Sequence, residues 1–109
     1  MEEDQFGRDP SVRMLRRVFA ATEEAQNLLL HRLGMGRLDK RLGPCRKKAL
    51  LLFEEGRARL SREGVRLEEK DVAQLYLFCL ARALMEQGLA VPREALPENA
   101  AMARLLEEI

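Results

Sequence analysis

Apolar residues return every three or four positions along most of the chain, the period of an α-helix that buries one face, and no stretch alternates in the manner of a strand. From residue 10 the series Val12, Leu15, Val18, Phe19, Thr22, Ala25, Leu29 and Leu33 marks one side of a first helix, with Arg13, Arg17, Glu24, Asn27 and His31 opposite. Asp9 is suited to cap that helix and Pro10 to open it, while Gly34 supplies the stop, so the spacing predicts a helix over about 10 to 33. A glycine-rich, charged connection from Gly34 to Gly43 follows. Pro44 is expected to open a second helix over about 44 to 63, burying Cys45, Ala49, Leu52, Phe53, Gly56 and Leu60 and ending at Gly64.

The stretch 72–85, VAQLYLFCLARALM, differs in kind, because between Leu75 and Met85 a single charged residue, Arg82, breaks the apolar run. Wound as a helix, it places Val72, Tyr76, Cys79, Leu80 and Ala83 on one face and Leu77, Phe78, Ala81 and Met85 on another, leaving no polar side. The run is well short of the ~20 residues a bilayer span requires, so it reads as the central helix of a core, enclosed by the rest of the chain. Glu68, Glu69 and Asp71 suit its first turn electrostatically and Gly88 closes it. Beyond the prolines at 92 and 97, a short terminal helix over about 98 to 108 offers Ala101, Met102, Leu105, Leu106 and Ile109 for docking. The expectation is an all-α fold, a small bundle of three long helices plus a short C-terminal one. In element order, with GVRLEEKDV before the last long helix, the chain resembles histone-fold proteins, but a first helix predicted to be the longest departs from that pattern and no functional residue is carried over.

At 109 residues the chain is the size of one domain, and a hydrophobic content of 47% is ample for a core. Residues 1–8 read as a frayed acidic tail without the apolar segment of a secretory signal, which points to a cytoplasmic protein. Cys45 and Cys79 both fall at apolar helical positions, where thiols behave as small hydrophobes rather than as a disulfide framework.

Net charge is +1, yet residues 34–64 carry nine basic and four acidic groups, whereas residues 65–109 carry five and eight. The excess gathers in Arg37, Lys40, Arg41, Arg46, Lys47 and Lys48, with Asp39 the one acid among them. Cations at a helix start oppose the macrodipole unless an anion joins them, so this cluster is a candidate contact for phosphate or nucleic acid. Aromatic residues, which would stack on single-stranded bases, are not interleaved with it. A second candidate is apolar. The terminal helix is too short to cover the central one, and Leu50 and Leu51 fall outside the buried stripe of the second helix, so Leu50, Leu51, Leu77, Phe78 and Met85 are expected to contribute to an interface.

Signals for catalysis are weak. His31, the single histidine, has no ligand-spaced Cys, Asp or Glu beside it, neither serine sits in a nucleophile elbow, and Gly34, Gly36 and Lys40 lack the strand and the Gly-Lys-Ser/Thr ending of a phosphate-binding loop. No metal, cofactor or membrane association is expected. The residues point first to a non-catalytic interaction or assembly module, a homodimer or the partner of another protein. Nucleic-acid binding through residues 37–48 is the alternative.

Overall fold

The computed structural model describes residues 10–36 and 39–108, apart from the side chains of residues 10–12, 14 and 15. The acidic tail, Arg37, Ile109 and the side chains of Val12 and Leu15 therefore lie outside the described residues. Among the described residues four α-helices follow one another, α1 (Pro10–Arg32), α2 (Leu42–Arg62), α3 (Glu69–Glu86) and α4 (Ala100–Glu108), with a 3₁₀ turn at Arg93–Ala95 before α4. Among the described residues there is no strand, and no helix is long and apolar enough to cross a membrane. With 23 residues, α1 is the longest, as its pattern predicts.

The three long helices end in the same way. At the first, Gly34 turns into the left-handed region at φ 68°, its N–H reaches the His31 carbonyl, and the Met35 N–H reaches Leu30 at 2.9 Å. This pair of bonds is a Schellman closure, in which a positive φ lets two orphan carbonyls be satisfied at once. The same pair forms around Gly64 (Val65 to Leu60, 2.9 Å) and Gly88 (Leu89 to Leu84, 3.2 Å).

Helix starts depart from the expectation in two places, at α2 and at α4. α2 begins at Leu42, two residues before Pro44, because Asp39 organises a preceding turn: its carboxylate accepts the Arg41 N–H at 2.9 Å and its carbonyl accepts the Leu42 N–H at 3.1 Å. Pro44 then occupies the third helical position, where an N–H has no intrahelical acceptor in any case. The start of α3 follows its acidic signature, with the Asp71 carboxylate accepting the Glu68 N–H at 3.2 Å. α4 starts at Ala100 rather than at Glu98, because Asn99 is its cap and accepts the Met102 N–H at 3.2 Å.

α3 occupies the centre, packed against α1, α2 and α4. Its buried residues include Val72, Leu75 and every position from Tyr76 to Ala81. The Sγ of Cys45 lies 3.8 Å from the Ala83 carbonyl and the ring of Phe53 lies 6.0 Å from that of Tyr76, so α2 runs antiparallel to α3 across the short connection between them. On the other side Phe19 of α1 meets Tyr76 edge to face at 5.1 Å. Buried residues of all four helices thus join one core. Within α1 two polar residues are also buried. Gln26 donates to the Thr22 hydroxyl and Thr22 to the Val18 carbonyl, each at 2.7 Å, which satisfies both inside the apolar face.

Candidate functional site

The earlier start of α2 moves Arg46, Lys47 and Lys48 out of its first turn, where the sequence had placed them, and into its second. Little of the helix end remains for an anion, since the N–H groups of Arg41 and Leu42 are bonded to Asp39 and Pro44 has none. Arg41 is also spent locally: its Nε and Nη2 hold the Asp39 carboxylate at 3.0 and 2.8 Å, and this bidentate contact pulls the carboxyl pKa down to about 2. Lys40, Arg46, Lys47 and Lys48 are exposed and form no ion pair among the described residues. Four of the six expected cations are therefore exposed without an ion pair among the described residues, while Arg41 is neutralised.

The apolar candidates separate into two regions. Leu50 packs partly against the core and Leu51 stands 68% exposed on the outside of α2, whereas Leu77 and Phe78 are largely covered on α3 and Met85 is 49% exposed near its end. Phe78 and Met85 belong to an open groove of about 1030 Å³ between the C-terminal half of α3, the segment 91–99 and α4. Ala81 lies beside them, and Val91, Leu96, Ala103 and Leu106 add apolar surface from the facing elements. The groove's charged residues are Arg82, Arg93, Glu94, Glu98 and Glu107. Leu50, Leu51 and Leu77 do not line it.

The groove keeps its shape because α4 is tied down at both ends. At the start, Asn99 Nδ2 donates to Gln74 Oε1 at 2.7 Å. At the far end, Arg82 donates to the Leu106 carbonyl, with its Nε 3.6 Å from Glu86, and Arg59 approaches both the Glu108 carbonyl (3.4 Å) and its carboxylate (3.3 Å). Two guanidinium groups thus meet the negative end of the α4 dipole. A helix of nine residues would not hold its shape alone, so these contacts and the burial of Met102, Leu105 and Leu106 decide its position. Arg82, the single charge in the central apolar run, is explained by this clasp. The run displays its oddity in sequence, but the carbonyl that it serves lies 24 residues further on.

Other reactive groups are dispersed. Burial pushes the Cys79 thiol up to about 12 and raises that of Cys45, so neither presents a ready thiolate. His31 lies on the exposed side of α1, beside a shallow depression formed by residues of that helix alone. No group of three or more metal-ligating side chains occurs among the described residues. Tyr76 is fully enclosed between Phe19 and Phe53, its hydroxyl has no hydrogen-bond partner among the described residues, and burial pushes its pKa up to about 12. No protein-family model, curated protein or solved structure matches the chain.

Proposed function

We propose that the protein is a non-catalytic assembly module of the cytoplasm that forms a homodimer through the groove between α3, segment 91–99 and α4. The observation that carries this reading is Met85, which leaves half of a large, adaptable apolar side chain exposed in the groove on a helix whose other large apolar side chains are buried. A second copy suits the groove because its charges have both signs. Under two-fold symmetry, Arg93 of one protomer can face Glu94 or Glu98 of the other, and the reciprocal pair forms automatically. Met85 is half buried already, so completing its burial contributes about 1 kcal/mol per protomer, counted twice across the axis. Two buried, free thiols agree with a reducing compartment.

Sedimentation velocity over a concentration series tests this directly. Wild-type protein should be dimeric at micromolar concentration, and Met85→Glu, at a site open enough to accept a carboxylate in the monomer, should sediment as a monomer with unchanged helicity. A wild-type monomer persisting to millimolar concentration, or a dimer indifferent to Met85→Glu, rejects the proposal.

A further inference from the structure

We infer that the outer surface around the second turn of α2 is a contact site for the phosphates of a nucleic-acid duplex, formed by Lys40, Arg46, Lys47 and Lys48. This site is independent of the apolar groove. Residues 40–53 contain five cations and no acid, and of these Arg41 alone forms an ion pair among the described residues, with Asp39. The antiparallel packing of α2 on α3 brings the end of α3 to this part of the molecule, and Glu86 there is engaged by Arg82, as Asp39 is by Arg41. Elsewhere on α2 the arrangement is different: Arg57 lies 3.8 Å from Glu54, and Arg59 lies 3.7 Å from Glu63 and 3.3 Å from Glu108. Arg62, Arg66 and Lys70 at and beyond the other end of α2 are exposed as well, but they stand among Glu63, Glu68, Glu69 and Asp71, so the local excess of positive charge lies at the start of the helix.

Lys40 lies in the turn before α2, and Arg46, Lys47 and Lys48 follow one another in its second turn, so the four cations form a compact group able to meet about three to four phosphates, which one strand of a duplex presents every ~3.4 Å. Since Arg46, Lys47 and Lys48 fan around the helix at ~100° intervals, they contact backbone on either side of a groove edge rather than reading bases. A lipid surface is a poorer fit, because α2 commits Cys45, Ala49, Leu52 and Phe53 to the core and leaves Leu51 as the large apolar side chain exposed beside the cations.

Fluorescence anisotropy with two unrelated 20-base-pair duplexes tests the site, using wild-type protein, Arg46→Gln/Lys47→Gln/Lys48→Gln, and a control with the exposed cations Arg62, Arg66 and Lys70 changed to Gln. Both variants lose three charges, so net charge is matched, and circular dichroism checks their folding. With three to four contacts the slope of log affinity against log salt should be about −3 to −4, roughly a hundredfold loss between 50 and 200 mM salt. The α2 variant should bind at least tenfold more weakly than the control, and the two duplexes should bind alike. Absence of wild-type binding at 50 mM salt, equal loss in both variants, or binding of one duplex alone would overturn the assignment.

Discussion

Truncating Leu80 to Ala should be among the most damaging single changes in the protein, and the size of the loss tests whether α3 is the enclosed centre of the bundle. Leu80 is 0% exposed and belongs to the common core, with partners on other helices that are themselves buried. Removing its isobutyl end takes away transfer free energy and leaves a cavity that close-packed neighbours fill incompletely, a combination that costs about 2–5 kcal/mol. For a chain of this length the unfolding entropy makes 1 kcal/mol worth about 4 °C, so the midpoint should fall by about 8–20 °C. Met85→Ala, at the penultimate residue of the same helix, removes a side chain that is 49% exposed and should cost less than ~1 kcal/mol. Urea and thermal unfolding should be followed by circular dichroism at two protein concentrations, because dimer formation would make stability concentration-dependent. A Leu80→Ala loss below 1 kcal/mol, or one no larger than that of Met85→Ala, would refute the placement of α3.

Three further outcomes are expected. Tyr76→Phe, which removes a buried hydroxyl that lacks a partner among the described residues, should leave stability unchanged or raise it by about 1 kcal/mol in urea unfolding; a loss above 1 kcal/mol would show that the hydroxyl is bonded. Arg82→Ala should release the C-terminal end of α4, so amide exchange at residues 103–108 should accelerate while α2 and the middle of α3 retain their protection; uniform change across the chain would contradict a local clasp. Asp39 has a folded pKa of about 2, below its ordinary 3.8, so its stabilising contribution is complete above the ordinary value and disappears as pH falls through about 2. A carboxyl carbon chemical shift titrating near 4 would exclude the bidentate contact with Arg41.

Much of the architecture follows from local rules that act within a few residues. Period, caps and stops lie within one turn of each other, which is why Gly34, Gly64 and Gly88 could be identified as helix ends and α3 as the helix without a polar face. The start of α2 was harder to place for the same kind of reason: Pro44 is the conspicuous signal, but the turn set by Asp39 acts earlier and makes the proline the third helical residue. Phe78 and Met85 could be nominated for an uncovered surface because the terminal helix is visibly short. Where that cover would stop, which residues of segment 91–99 would form the facing side, and that Leu50 and Leu51 would lie apart from the groove depended on contacts between elements far apart in sequence. The charged residues divide similarly. Composition locates the basic cluster, but an Arg is free or neutralised according to where the chain brings a carboxylate or a carbonyl: Arg41 meets Asp39 two residues away, whereas Arg59 and Arg82 meet the end of α4 only after the whole bundle has closed. Helix period and capping are short-range and therefore written in the sequence, while the groove and the distribution of unpaired charge arise from packing across the fold and exist only in the tertiary structure.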